Sequence, residues 1–376
     1  TLSEQGFYWL GNSWYEVGKK EKSPQAYFDA TVAFRRFRTK AGDKQADAPR
    51  AALYTAFCLE DMAGLGDAGA RAKALFAFQE VSDKWPTSRE AEHAKDGIAR
   101  MTAAMPTQEL IEVVKTLPDG ASWSVDLTVA RKAFREKQYD GALAAAKKVL
   151  DANPAGEVKV QAAYLIGACL QQTARPADAI KYYRQALDAA PAGELAPFIL
   201  RGLVVAYLDT RQPASARDAA LDLLKHPQTP EETAQTLLNL GNAYTANRQY
   251  DEAQGAYTRI IKEFAEPAAD VVPLAYMGLA GVAEARRDAA EAVNRYREVI
   301  RRYPDHEAAG QAFYRIGVNL SDLKQFGEAI DAFNNVPNAS RLADRAAYAA
   351  AWAYVDQGKT EQANIQFLRV AERFPD

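Results

Sequence analysis

The sequence has few of the residues that form disulfides or bind metal ions. Its 376 residues include only two cysteines and three histidines. Two cysteines cannot provide a disulfide framework. Cys58 and Cys169 both lie in apolar stretches that are predicted to be helical, where a thiol behaves as a small core side chain. A disulfide between the two remains open, and the cysteines say little about the compartment.

An excess of charge of one sign and long apolar runs are also lacking. Lys and Arg number 46 against 49 Asp and Glu, a net charge of −3, so no nucleic-acid partner is expected. No apolar run approaches the roughly 18 residues of a membrane span, so no integral membrane segment is expected. The chain opens on Thr1 without a Met or a signal peptide, which indicates processing or trimming.

Residue patterns that support catalysis are missing as well. The histidines His93, His226 and His306 are isolated in sequence, and the last two are predicted to lie in loops. There is no His-Glu-x-x-His pattern, no pair of neighbouring cysteines and no glycine-rich phosphate loop. Acidic pairs such as Glu231 and Glu232 lie at predicted helix ends, where capping and the helix dipole explain them. We therefore expect a protein that is not an enzyme, with no catalytic residue, no metal and no cofactor.

What the sequence does have is internal repetition. The segment Asp151–Glu157 recurs in similar form at Asp188–Glu194, with their prolines 37 residues apart. An alanine recurs at successive spacings of 37, 37, 37, 39, 37 and 34 residues. These alanines are Ala142, Ala179, Ala216, Ala253, Ala292, Ala329 and Ala363. A period of this length indicates an array of repeated helical units.

Other positions keep the same step. A small or apolar residue precedes the alanine in each unit, at Gly167, Val204, Gly241, Ala280, Gly317 and Ala351. A bulky residue follows it by four positions, at Tyr183, Tyr257, Tyr296, Phe333 and Phe367. In several units a proline comes eight residues later, as Pro191 does after Tyr183. The pattern resembles the tetratricopeptide repeat (TPR), most closely between Leu237 and Tyr257.

The resemblance implies an all-α fold, a TPR-like α-α superhelix (solenoid) of antiparallel helical hairpins. Small residues such as Gly241 and Ala253 allow two helices to cross closely, while Tyr244 and Tyr257 fill the space between hairpins. The segment Thr229–Glu232 predicts a capped helix start, because a threonine cap is followed by proline and, three residues on, by glutamate.

Two regions are predicted from how well the repeat holds. Residues 123–376 form a regular TPR array of about seven hairpins, and residues 1–122 form divergent, atypical TPR-like hairpins. The turn signal Pro118-Asp119-Gly120 is the candidate boundary, either a bend in one solenoid or a domain junction.

Within residues 1–122, two hairpins are expected to begin with helices at Phe7–Tyr15 and Leu53–Leu59. The segments around Gly18–Pro24 and Gly64–Gly69 are expected to be longer connections than the usual short turn. A further helix is expected near Thr107–Leu117.

The first helices of TPR hairpins line a concave surface, and a stripe spaced i, i+4, i+7 faces inward. Carried over to this chain, the predicted partner groove comprises Tyr164, Arg201, Leu238, Asn242, Met277, Tyr314, Tyr348 and Trp352. Aromatic side chains among a few polar ones are typical of a protein-binding surface. The alternative is that some of these aromatics pack between hairpins. Some TPR proteins hold a partner's terminal carboxylate with a Lys/Asn/Arg clamp, but Leu274 and Gly278 stand here where its Lys and Arg are required.

The expected function is a non-enzymatic protein–protein interaction scaffold that holds a peptide or protein partner in the groove. The alternatives are a structural self-assembly module of a cell-envelope complex, or the regulatory part of a longer protein. Helix endings such as Arg302-Tyr303-Pro304-Asp305 resemble those of bacterial cell-envelope TPR proteins, which favours the periplasm or envelope over the cytoplasm. Either further native chain beyond Asp376 or self-association through the carboxyl-terminal end is also expected, since no polar capping helix follows Phe367 in this sequence.

Overall fold

The computed structural model describes residues 2–116 and 123–373. Every regular element in these residues is an α-helix. The chain divides into two compact units, unit 1 at Thr1–Ile199 and unit 2 at Leu200–Asp376. The all-α fold expected from the sequence is thus confirmed. The predicted boundary at residues 118–120 lies outside the described residues and stays a prediction.

Unit 1 contains ten complete helices among its described residues. They are α1 (Glu4–Glu21), α2 (Pro24–Ala41), α3 (Ala48–Gly64), α4 (Ala68–Lys84), α5 (Arg89–Ala104), α6 (Thr107–Thr116), α7 (Trp123–Arg135), α8 (Tyr139–Asp151), α9 (Gly156–Gln172) and α10 (Pro176–Ala189). Consecutive helices pack as hairpins in α1/α2, α3/α4, α7/α8 and α9/α10, whereas α5 packs on α4 and α6 packs on α7.

The boundary between the units falls within α11 (Ala196–Asp209). The helices that follow are α12 (Pro213–Leu223), α13 (Pro230–Ala246), α14 (Tyr250–Glu263), α15 (Val272–Ala285), α16 (Ala289–Arg302), α17 (Glu307–Asp322), α18 (Phe326–Asn334), α19 (Ala343–Asp356) and α20 (Thr360–Arg373). Each helix from α12 to α20 packs on the next in chain order, and the first helices α13, α15, α17 and α19 also contact one another in sequence. Neighbour-on-neighbour packing of this kind defines a solenoid.

A single type of turn closes the seven hairpins from α7/α8 to α19/α20. Each has one residue in the left-handed region, with φ between 57° and 78°. The next backbone N–H donates to the carbonyl five residues earlier at 2.8–3.0 Å, as Gln249 does to Tyr244. This bond satisfies a carbonyl at the end of the first helix that would otherwise lack a partner. The turn residues are Lys137, Ala174, Arg211, Arg248, Arg287, Lys324 and Gly358.

The repeat positions form the core. All seven repeating alanines are at most 1% exposed. The ring of Tyr257 lies between two glycines, Gly241 of its own hairpin and Gly278 of the next, and a Cβ on either would collide with it. Tyr183 lies against Gly167 and Phe333 against Gly317 in the same way. The small residue and the bulky residue are therefore two halves of one contact. The capped start of α13 is also confirmed, with the Thr229 and Glu232 side chains each bonded to the other's backbone N–H.

Two expectations for residues 1–122 are wrong. The connections around Gly18–Pro24 and Gly64–Gly69 are short, because α1 continues to Glu21 and α3 to Gly64. Gly18 is a buried helical residue that faces the Tyr27 ring, so it marks a close helix contact and not a loop. Helix α5 was not foreseen. The expected helix at Thr107–Leu117 is present as α6, up to Thr116.

The cysteines and histidines have structural surroundings. Cys58 in α3 and Cys169 in α9 are buried free thiols, as expected of core residues. His306 caps α17 by accepting a hydrogen bond on Nδ1 from the Ala308 N–H at 3.1 Å. His226 lies in the connection after α12, and His93 is exposed on α5.

Candidate functional site

Unit 2 has an open cleft of about 990 Å³, which we call the unit-2 cleft. The first helices of four consecutive hairpins, α13, α15, α17 and α19, contribute to its walls. Its lining includes Leu238, Asn242, Leu274, Met277, Glu307, Gln311, Tyr314, Arg315, Arg341 and Arg345, together with Tyr257 and Tyr296 from the second helices. Ligand-binding clefts commonly measure roughly 300–1,000 Å³, so this one has room for a peptide segment.

Four of the predicted groove residues line this cleft together. They are Leu238, Asn242, Met277 and Tyr314. Leu238 is buried in the wall, Met277 and Tyr314 are half-buried, and Asn242 is exposed. Repeat positions on three different hairpins thus come together on one surface, with apolar and hydrogen-bonding groups side by side.

Two further predicted residues lie on α19, beyond the cleft. Tyr348 is 51% exposed and Trp352 is 48% exposed. The Phe367 ring of α20 holds both edge-on, with centroids 5.7 Å from Tyr348 and 5.6 Å from Trp352. This aromatic group is ordered by its own contacts but open to solvent on one side.

The remaining two predicted residues are engaged within the protein. Tyr164 of α9 belongs to unit 1, and its ring lies 6.2 Å from the Tyr183 ring of α10, a contact within its own hairpin and not between hairpins. Arg201 donates to Glu232 Oε1 at 2.8 Å. That same glutamate closes the capping box of α13, so Arg201 is directed at a helix start. The pKa of Glu232 is lowered chiefly by the hydrogen bond from the Thr229 backbone N–H. The positive charge of Arg201 lowers it further.

Buried tyrosine hydroxyls reach the polar side chains of the cleft from behind. The Tyr257 hydroxyl donates to Asn242 Oδ1 at 2.8 Å, which leaves the amide NH₂ of Asn242 without a partner in the described residues. The Tyr296 hydroxyl donates to Glu284 Oε2 at 2.8 Å, and Arg315 donates to the other oxygen of Glu284 at 3.2 Å. Burial raises the pKa of Tyr257 to about 12, and burial together with Glu284 raises that of Tyr296 further. Both hydroxyls therefore stay protonated and act as fixed donors.

Sequence reasoning missed the basic end of the cleft. Arg341 and Arg345 are exposed, and neither has an ion-pair or hydrogen-bond partner among the described residues. Arg345 lies three residues before Tyr348, as Leu274 does before Met277 and Gln311 before Tyr314. All three line the cleft. Extending the predicted stripe by one turn toward the start of each first helix would have included them.

A stack of hairpins with a cleft lined by their first helices is the architecture of a helical-repeat protein. Family models described as tetratricopeptide repeat match residues 127–194, 201–264, 238–307 and 345–376. These matches cover more than half of the chain, which therefore belongs to the TPR family. The fold of this family generally serves as a non-enzymatic scaffold for protein–protein interaction.

Solved structures agree on the fold. A tetratricopeptide repeat protein from Parabacteroides merdae ATCC 43184 has a TM-score of 0.53 and 14% identity, over 66% of this chain and 92% of that one. The apo form of RapI has a TM-score of 0.50 and 13% identity, over 97% and 96%. PilW, described as a type IV pilus biogenesis factor, matches 59% of this chain and 96% of its own at 15% identity, but its TM-score of 0.44 is too low to bear on the compartment of this chain. Curated proteins give no match.

The described residues contain neither a candidate membrane span nor a candidate metal site. No helix in residues 2–116 and 123–373 is long and apolar enough to cross a membrane. In the same part of the chain, no group of three or more His, Cys, Asp and Glu side chains is placed to hold a metal ion.

Proposed function

We propose that the protein is a non-enzymatic scaffold that binds a peptide segment of another protein in the unit-2 cleft. The observation that carries this proposal is the convergence of groups from successive hairpins on one open surface. Leu238, Met277 and Tyr314 offer apolar contact, while Asn242 offers an amide donor held in place by the Tyr257 hydroxyl. A peptide segment lying along the cleft would bury its side chains against Leu238, Met277 and Tyr314. Its backbone would accept a hydrogen bond from the Asn242 amide.

The chemistry of the cleft favours a peptide over a small substrate. The cleft is open along several helices. Its charged side chains are either paired, as Arg315 is with Glu284, or exposed to solvent, as Glu307, Arg341 and Arg345 are. Catalysis needs titratable groups set apart by their surroundings and aimed at one reacting atom. Recognition needs only complementary contacts spread over a surface.

Affinity measurements on matched asparagine variants test the proposal. Ligands are first selected from a phage-displayed random peptide library on the full chain, then synthesised and titrated. Asn242→Ala should weaken binding by roughly three- to tenfold, the range for one lost hydrogen bond. Asn294→Ala, an exposed asparagine on α16 outside the cleft, should leave affinity unchanged.

A double substitution tests the aromatic part. Tyr314→Ala/Trp352→Ala should weaken binding by about 2 kcal/mol or more, because buried aromatics dominate interface energies. Lys262→Glu on α14 should change little, since an exposed charge contributes under about 1 kcal/mol. Circular dichroism checks that helicity is kept. Equal affinity of the wild type, the Asn242→Ala variant and the double variant would exclude the cleft as the binding site.

A second candidate function, self-association, is favoured by the outer face of α20. Ile365 is 45% exposed and Leu368 is 65% exposed. The equivalent positions of four other hairpins are polar or small, at Lys181/Arg184, Gly255/Thr258, Asn294/Arg297 and Asp331/Asn334. Light scattering at two concentrations should show association that Leu368→Lys abolishes; a monomer at both would refute this candidate. The envelope setting stays a proposal that rests on the helix endings alone.

A further inference from the structure

The unit-2 cleft has an unbalanced charge at one end. Its lining includes three arginines, Arg315, Arg341 and Arg345, and one acidic residue, Glu307. Arg315 forms an ion pair with Glu284, with 3.2 Å between Nη1 and Oε1. Arg341 and Arg345 form no such pair within the described residues, and neither Glu307 nor the neighbouring Asp344 is within ion-pair distance of them. Two guanidinium groups without an acidic partner in the described residues therefore lie four residues apart in the sequence at this end of the cleft.

This local charge differs from the charge of the chain. The sequence has a net charge of −3, so the protein as a whole does not attract anions. Attraction of an acidic ligand would have to arise at a site where positive charge is concentrated and unpaired. Guanidinium groups match carboxylates in geometry, since their planar N–H donors can bond both oxygens at once.

The aromatic group of α19 continues the same face of the helix. Arg345, Tyr348 and Trp352 are spaced i, i+3 and i+7, which places them along one side. Phe367 holds both aromatic rings in edge-on contacts, at interplanar angles of 62° and 78°, so they are ordered without a ligand. Ordered, half-exposed tyrosine and tryptophan side chains are effective anchors, because little freedom is lost when a partner covers them.

The distance along α19 sets the order and spacing of the ligand groups. Seven residues separate Arg345 from Trp352, and a helix rises about 1.5 Å per residue, so the two lie roughly 10 Å apart along the axis. An extended peptide advances about 3.3 Å per residue. Roughly three residues of extended ligand would therefore separate a group at the arginines from one at the tryptophan.

We infer that the partner segment is acidic, with Asp or Glu side chains at Arg341 and Arg345 and a bulky apolar side chain about three residues away on Tyr348 and Trp352. This inference rests on the proposed function and adds the class of ligand to it. The ligand groups are side chains within a segment, so a free chain terminus is not required.

The test uses synthetic peptides with acetylated and amidated ends, taken from the library selection described above. Selected sequences should be enriched in Asp or Glu about three residues from Trp, Phe or Leu. Replacing those acids with Asn or Gln should weaken binding by roughly three- to tenfold, as expected for two exposed ion pairs. Affinity of the acidic form should also fall as ionic strength rises, because exposed charges are screened.

Charge reversal gives the sharper measurement. Arg341→Glu/Arg345→Glu should lose the acidic peptide and prefer a version in which its acids are replaced with Lys. Arg301→Ala, an arginine of α16 with a 74% exposed side chain, is the matched control and should bind like wild type. Both arginines lie at the surface, so the double variant should keep its helicity.

The outcomes separate the two proposals. Peptides that depend on Asn242 and Tyr314 but show no acidic preference would overturn this inference and leave the proposed function standing. A selection with no peptide sensitive to any cleft substitution would overturn both. Binding of a single-stranded oligonucleotide that depends on Arg341 and Arg345 would overturn the assignment to an acidic peptide.

Discussion

The contact between Gly241 and the Tyr257 ring gives the most exacting test of the repeat packing. A Cβ at residue 241 would lie 2.5 Å from Cε1, 2.7 Å from Cζ and 2.9 Å from Cδ1 of Tyr257. Tyr257 is 1% exposed, and Gly278 of the next hairpin packs against its ring, so the ring cannot move away from an added Cβ. We expect Gly241→Ala to lower the free energy of unfolding by about 1–3 kcal/mol, the usual penalty for added bulk in a packed site.

The same hairpin offers a matched control. Gly255 is an exposed residue of α14, and a Cβ there would meet no atom within 4 Å. Gly255→Ala should therefore raise stability by up to about 1 kcal/mol, because alanine is the better helix former. The two alanine substitutions should differ by roughly 1–4 kcal/mol, measured by urea unfolding followed by circular dichroism.

A double variant identifies the ring as the cause. In a Tyr257→Leu background the collision is reduced, so Gly241→Ala should be less destabilising there than in the wild type. Contacting residues typically show such non-additivity, at about 0.5–3 kcal/mol. If Gly241→Ala matched the wild type in stability, or if the two substitutions were simply additive, the close packing of the Tyr257 ring on Gly241 would be refuted.

Three other predictions concern hydroxyl, carboxyl and thiol groups. Tyr257→Phe removes the donor to Asn242, so peptide affinity should drop a fewfold with at most about 1.5 kcal/mol lost in stability, and unchanged affinity would contradict a positioning role. Burial alone would raise the pKa of Glu80, but bonds from Arg38 and Lys84 hold it below its ordinary value, and Lys84 and Arg38 also lower that of Asp43. These carboxylates thus stabilise the fold above about pH 5, and this effect is lost as the pH falls through their folded pKa values. Glu80→Gln should therefore lose less stability between neutral and acid pH than the wild type does, as measured by unfolding titrations at each pH. Burial raises the pKa of Cys58 far above its usual range and that of Cys169 to about 12, so thiol reagents should modify neither until denaturant is added, and rapid labelling of the native protein would contradict their placement.

The regular part of the fold could be predicted because one constraint recurs in every hairpin. The two helices of a hairpin cross closely where the first carries a small or compact residue, and in three hairpins this is a glycine against a ring, at Gly167, Gly241 and Gly317. Gly241 and Tyr257 therefore recur in equivalent form at a fixed separation, which makes the repeat visible in the sequence. Residues 1–116 obey the same physics with other spacings. Gly11 faces Phe34 and Gly97 faces Phe78, at separations of 23 and 19 residues in place of the 16 between Gly241 and Tyr257. The fixed spacing of the regular repeat therefore predicts neither α5 nor the helical position of Gly18.

The candidate site was only partly predictable for a different reason. Helical periodicity placed Leu238, Asn242, Met277 and Tyr314 on one face, since backbone geometry alone decides that. Which polar groups remain available depends on side chains far away in sequence. Glu232, 31 residues beyond Arg201, binds that arginine, whereas Arg341 meets no such acid. The spacing of residues does not encode such pairings.

The turn residues of the hairpins can be substituted without changing the core or the unit-2 cleft. Six of the seven left-handed turn positions hold a residue with a Cβ, a conformation that costs roughly 1–2 kcal/mol relative to the right-handed one. Only Gly358 avoids this strain. Glycine or asparagine at the other six would relieve it at sites such as Arg248 and Lys324, which are exposed and do not line the unit-2 cleft. An array of this kind could be made more heat-resistant turn by turn, with its binding surface left as it is.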